Sequence, residues 1–189
     1  MPRPRDTGID TAITAATLQL LRERGFAAMS IEAVAELAGV GKPAVYRRFR
    51  NKVDLVSSVI SGQLPELDPP DLGDSRAELW AAVEQGFPDD GAAYVGLIGG
   101  LMAERERHPE LIEAFRESIL LPRRAIGLAL IERGQERGQI RADIPAEAAL
   151  DLFAGPFLAR VFAGAETGPG WRRDAFEIWW GLIDERNQR

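Results

Sequence analysis

Residues 30–52 read SIEAVAELAGVGKPAVYRRFRNK, and this run decides the fold. Ser30 is a good N-cap for a short helix, and Ile31, Val34, Ala35 and Ala38 recur three and four apart on one side of it until Gly39 breaks the pattern. Gly41 opens the next helix. Pro43 is tolerated in its first turn, where a backbone N–H has no intrahelical partner. Val45 and Phe49 define the buried direction of that helix. At about 100° per residue, Arg47 and Pro43 then point almost directly outward, with Ala44, Tyr46 and Arg48 on the flanks and Lys42 at the exposed first turn. Two short helices joined by Gly39-Val40-Gly41 make a compact helix-turn-helix.

The outward face of that second helix is cationic and aromatic, which suits a nucleic acid in the major groove. Arginine forks onto guanine or phosphate, the Tyr46 hydroxyl donates to a phosphate oxygen, and Pro43 and Ala44 suit thymine methyl groups. Asn51 and Lys52 begin a fourth helix, whose free amides favour an anion. The whole-chain charge of −6 hides an asymmetry. Met1–Lys52 carries nine Lys and Arg against five acids, a net +4, which leaves −10 on the remainder. A basic head on an acidic body orients towards a polyanion head first.

Outward from this segment the chain reads as all-α. Apolar residues recur at helical spacing and no β-branched alternation interrupts them. A first helix is expected from about Asp10 to Arg24, ended by Gly25, with Phe26 turning inward. A fourth presents Val53, Val56, Val59 and Ile60. Residues 62–73 hold three prolines and two glycines and read as a loop and domain boundary. Further helices are expected at Asp74–Gly86, Asp89–Arg107, Pro109–Gly138, Pro145–Phe162 and Gly170–Arg186, with kinks at Pro122 and Gly155-Pro156. The expected division is a helix-turn-helix domain at 1–52, a fourth-helix linker at 51–62 and a helical domain at 63–189.

The composition also excludes. Without cysteine and with one histidine among 189 residues, neither a disulfide framework nor a metal site is expected, and no cofactor is implied. His108, followed by Pro109, reads as a helix junction. No apolar run approaches the roughly 20 residues of a membrane helix, so a cytoplasmic protein without a membrane partner is expected. Carboxylates are abundant, but none has a distinctive spacing, and no nucleophile motif or phosphate loop accompanies them, which disfavours an enzyme in the acidic part.

Arg24-Gly25-Phe26, Ser30-Ile31-Glu32-Ala33-Val34-Ala35, Ala38-Gly39-Val40-Gly41-Lys42 and Tyr46-Arg47-Arg48-Phe49-Arg50-Asn51-Lys52 together resemble the N-terminal signature of the tetracycline-repressor (TetR) family. The resemblance spans roughly Ile9 to Leu55. It implies that Lys42, Pro43 and Ala44 face bases, that Tyr46, Arg48 and Lys52 hold the DNA backbone, that Arg47 does either, and that Ser30 caps its helix beside a phosphate. Gly41 departs from the serine or threonine usual in the family; the cap survives but a hydroxyl contact is lost.

The remainder is similar in helical layout to the family's ligand-binding and dimerisation domain. The resemblance therefore implies a ligand-responsive homodimeric repressor on a near-palindromic double-stranded operator, with an unidentified small-molecule effector. A DNA-binding dimer that senses no small molecule is the alternative. Trp80, Phe87, Tyr94, Met102, Phe115, Phe153 and Phe157 are candidates to line a pocket, with ordinary core as the competing reading. Trp171, Phe176, Trp179 and Trp180 lie either in the core or across the subunit boundary, and the resemblance favours the boundary.

Overall fold

The computed structural model describes residues 7–86 and 91–188, and within them every regular element is helical. In chain order these are α1 (Thr7–Ala28), α2 (Ile31–Leu37), α3 (Lys42–Tyr46), α4 (Lys52–Ser61), α5 (Ser75–Gly86), α6 (Gly91–Ala103) and α7 (Pro109–Phe115). A π-helical turn (Arg116–Leu120) leads to α8 (Leu121–Glu136), α9 (Ala146–Phe162), α10 (Pro169–Ile183) and a final 3₁₀ turn (Glu185–Gln188). Contacts gather the chain into two compact units, Met1–Gln63 with Leu97–Ser118, and Leu64–Gly96 with Ile119–Arg189. The first unit thus takes in a later segment that a single cut near residue 62 leaves with the rest.

In the first unit the breaks follow the local chemistry. Gly25 adopts φ 73 and ψ 174, interrupting α1 so that Phe26 turns into the core. The Ser30 hydroxyl caps α2 by accepting from the Ala33 N–H at 3.1 Å. At the far end Gly39 takes φ 64, and the Val40 N–H reaches the Ala35 carbonyl while the Gly39 N–H reaches that of Glu36. That pair of bonds is a Schellman closure, which needs the left-handed residue that glycine supplies. α1 packs on α2 and α4, α2 on α3, and α4 on α7. Ile13, Leu20, Val34, Val45, Leu55 and Val56 are buried.

The second unit has a larger, aromatic core. Phe176, Trp179, Trp180 and Ile183 from α10 meet Leu79 and Val83 from α5, Leu130 and Ile131 from α8 and Ala149 from α9. The Ile140 side chain packs directly over Gly134 of α8, where a Cβ would have no room. The loop before α5 is clamped by a charge cluster. Glu78, 0% exposed, accepts from the backbone N–H groups of Leu72 and Gly73, both at 2.8 Å, and from Arg133 at 2.7 Å and Arg137 at 2.9 Å. Burial pushes the Glu78 carboxyl up, but the bonds from Arg137, Leu72 and Arg133 outweigh it and hold the group below the usual carboxylate range.

The two interior prolines behave differently. Pro122 has no N–H, and its ring excludes the carbonyl of Ser118. The expected Pro109–Gly138 helix therefore divides into α7, the π turn and α8. α9 instead runs through Pro156 as one helix. Gly155 precedes that proline and has no Cβ for the ring to strike, which keeps a helical backbone accessible.

Candidate nucleic-acid interface

α3 is mounted by what it buries. Val45 is fully buried, and Phe49 just beyond the helix is half-buried. Gly41 caps the first turn in extended conformation with no side-chain bond, and Pro43 occupies that turn. The opposite side is open. Tyr46 is 50% exposed, and Lys42, Pro43 and Arg47 are exposed with it. Glu32 on α2 steadies Lys42 with an ion pair at 3.6 Å.

Three of the residues assigned to DNA on sequence grounds sit differently. Ala44 is 9% exposed and forms part of the floor of α3, because its small side chain lies on the flank nearest the core. Arg48 is half-buried; its Nε pairs with Asp10 of α1 and its Nη1 donates to the Ala44 carbonyl at 3.1 Å. Lys52 turns inward. Its ammonium donates to the carbonyls of Phe26 at 2.9 Å, Met29 at 3.1 Å and Ala27 at 3.4 Å, and lies 4.1 Å from the centre of the Phe26 ring. Carbonyls left over where α1 ends attract a cation for the same reason that a helix C-terminus does. Burial lowers the Lys52 pKa below its ordinary value, against the raising influence of Glu104 and Glu110. Ser30 spends a lone pair on its cap, and among the described residues its hydroxyl proton finds no acceptor.

Sequence reasoning overlooked two features. Arg50, with a side chain 89% exposed, stands directly before Asn51, which caps α4 by accepting from the Asp54 N–H at 2.8 Å. Its place just ahead of the N-cap was a readable signal. The other is a contact: His108 stands at the helix junction expected of it, as N-cap of α7, and its ring meets that of Phe26 edge to face, 4.9 Å between centroids. No spacing rule connects residues so far apart in the chain.

The candidates for a pocket and an interface are dispersed. Phe115 is buried while Met102 is exposed; Trp80 and Phe153 pack edge-on against Phe176, and Phe157 lies against Trp171. Phe87 and the side chain of Tyr94 fall outside the described residues. The expectation that Phe176, Trp179 and Trp180 meet a partner is corrected. They point inward and satisfy their polar groups within the chain, Trp179 Nε1 donating to the Ala149 carbonyl at 2.8 Å and Trp180 Nε1 to Asp184 at 3.1 Å. Trp171 is half-buried beneath the Arg160 guanidinium. The large exposed apolar residues of α9 and α10 among the described residues are others: Leu152, Leu158, Phe162 at 76%, Ile178 at 70% and Leu182. Among the described residues no group of acidic, His or Cys side chains is arranged to hold a metal ion, and no helix is long and apolar enough to cross a membrane.

Comparison with known proteins agrees with this geometry. A profile described as bacterial regulatory proteins, tetR family, matches residues 13–59, and one described as the tetracyclin repressor-like C-terminal domain matches residues 69–176. An uncharacterised HTH-type transcriptional regulator of Bacillus subtilis is 30% identical over 174 residues, covering 91% of this chain and 88% of the relative. Another from Mycobacterium tuberculosis is 28% identical over 152 residues, 80% of this chain and 75% of its own. Among solved structures, a TetR family transcription regulator of Marinobacter aquaeolei superposes with TM-score 0.65 at 22% identity, covering 95% of this chain and 97% of that one. A flavonoid-responsive regulator gives TM-score 0.66 at 22% identity, with 95% and 98% covered.

Proposed function

The chain belongs to the tetR family of bacterial regulatory proteins and is a DNA-binding transcriptional regulator; from that premise we propose that it acts in the cytoplasm as an effector-responsive homodimeric repressor. The observation that carries this reading is the outer side of α3, where Lys42, Pro43, Tyr46 and Arg47 stand exposed while Val45 anchors the helix from beneath. Lys42 and Pro43 meet base edges at the leading end, Arg47 reaches a guanine or a phosphate, and Tyr46 donates to the backbone. Ser30 offers its free hydroxyl proton to a neighbouring phosphate. Ala44 supports the surface rather than forming it, and Arg48 and Lys52 act as positioning residues that fix α3 and the start of α4.

One helix-turn-helix reads only a few base pairs, so two copies are needed, with recognition helices about 34–36 Å apart on a near-palindromic operator. Ile178 and Leu182, one turn apart on α10, and Leu152 and Phe162 on α9 offer the apolar face onto which a second copy docks. The acidic remainder serves assembly and effector binding rather than catalysis. An effector that prefers one dimer state lowers operator affinity, and the operator lowers effector affinity by the same factor. The effector screen starts with flavonoids, because a neighbour of the same fold is named as flavonoid-responsive.

The test is selection of genomic fragments by the purified protein, followed by fluorescence anisotropy on the recovered duplex. A near-palindromic site bound by a dimer, and weakened by Arg47→Ala and Tyr46→Ala without loss of helicity, is the expected result. A protein that retains no duplex, or variants that bind as tightly as the parent, would overturn the reading.

A further inference from the structure

The chain passes from one compact unit to the other at residues 63–64, 96–97 and 118–119. The last two crossings run inside α6 and the π turn. Only the first is made by a loop, residues 64–73, which carries Pro65, Pro69 and Pro70 and no regular structure. Slack in the connection between the reading head and the rest of the chain would therefore arise there.

That loop is fastened along its length, and by side chains. Among the described residues none of its backbone groups bonds to another backbone group. Instead Arg123 of α8 donates from Nη1 to the Pro65 carbonyl at 2.9 Å and from Nη2 to the Gly86 carbonyl, at the end of α5, at 2.7 Å. The Gln85 side-chain amide pairs with the Asp68 backbone in both directions, accepting from its N–H at 3.0 Å and donating to its carbonyl at 3.3 Å. At the far end Glu78 takes the Leu72 and Gly73 N–H groups, and Gln139 Nε2 donates to the Gly73 carbonyl at 3.0 Å. Gly86 leaves the room for this: a Cβ there would lie 3.3 Å from Arg123 Nη2 and 3.6 Å from Leu67 Cδ1.

Solvation does not demand these bonds. Pro65 and Asp68 are exposed, so water would satisfy their backbone groups. What the side chains remove is freedom, and ordering a loop costs backbone entropy. Arg123 suits the task because its flat fork of donors spans two carbonyls from different segments.

We propose that Arg123 is a positioning residue for operator binding: with Gln85 it holds residues 64–73 in one course, so that the reading head is carried without slack. The inference rests on the dimeric reading above. Two heads on one operator must keep one spacing, and a slack tether lowers the effective concentration at which the second head meets its half-site. A single head on a single half-site does not feel the slack.

The test compares two duplexes by fluorescence anisotropy: the near-palindromic fragment recovered by genomic selection, and the same fragment with one half scrambled. Arg123→Met should lower affinity for the full site about tenfold, and Gln85→Ala should lower it in the same direction, while half-site affinity and sedimentation as a dimer stay parental. Without DNA, hydrogen exchange across residues 64–73 should be faster in both variants than in the parent. Parental full-site affinity in both variants, an equal loss on both duplexes, or exchange no faster than the parent's overturns the proposal. A parent that prefers the full site no more than the half-site overturns the dimeric reading and takes this proposal with it, so the two failures are told apart.

Discussion

From α1 to α4 each turn is set by residues that bond to near neighbours: Ser30 to Ala33, Asn51 to Asp54, Gly39 and Val40 back onto α2. In the unit built on α5, α8, α9 and α10 the deciding bonds cross the chain, Glu78 to Arg133 and Arg137, and Trp179 to Ala149. The reading head is therefore specified locally, and its function depends on what stands outside it. The other unit is specified by long-range pairing, and its stability depends on what is sealed within it. Substitutions should divide by where the side chain stands: those on exposed faces should change binding, and those that remove a cap or a sealed bond should change stability, most of all where the bonds cross the chain.

The largest effect is expected at Glu78→Ala, which leaves two guanidinium groups and two backbone N–H groups without their shared partner. A loss of about 3–5 kcal/mol in chemical denaturation is expected, and a smaller loss than that at Ser30 would break the comparison. Its pH dependence has a definite sign. The folded-state carboxyl lies below its ordinary range, so its stabilisation is complete above the unfolded value of about 4 and disappears as pH falls through the folded one. The parent should lose stability in acid more steeply than the variant.

Ile178→Glu comes next, costing the dimer about 2 kcal/mol or more and shifting sedimentation towards monomer while each copy stays folded. Arg47→Ala should cost about 1–3 kcal/mol of operator affinity with an unchanged denaturation midpoint. Lys52→Met sharpens the comparison, because a lysine at this position resembles a phosphate ligand but is spent on carbonyls. A stability loss of about 1.5 kcal/mol is expected with the salt dependence of DNA binding unaltered. A slope flatter by about one unit would return Lys52 to a phosphate. Ser30→Ala is the smallest, about 1 kcal/mol of stability from a lost cap.

Legibility in the sequence follows the same division. The helix-turn-helix, its caps and the exposure of Tyr46 and Arg47 were readable because caps, left-handed glycines and helical periodicity act over a few residues. The loop at 62–73 and the break near Pro122 were readable for the same reason. The inward turns of Lys52 and Arg48 were not, since each depends on where α1 lies relative to α3 and α4. Trp179 and Trp180 were misjudged because an amphipathic helix with aromatic residues on one face and Ile178 and Leu182 on another offers two apolar surfaces. Only the packed partners, Leu79 and Ile131 among them, decide which is inside.

The three oxygens gathered around Lys52 carry a consequence for chemical substitution. They converge on a single tetrahedral nitrogen with one proton for each, whereas arginine spreads its donors across a flat fork. Lys52→Arg therefore keeps the charge and forfeits the fit, so the gentlest exchange on paper is a disruptive one here.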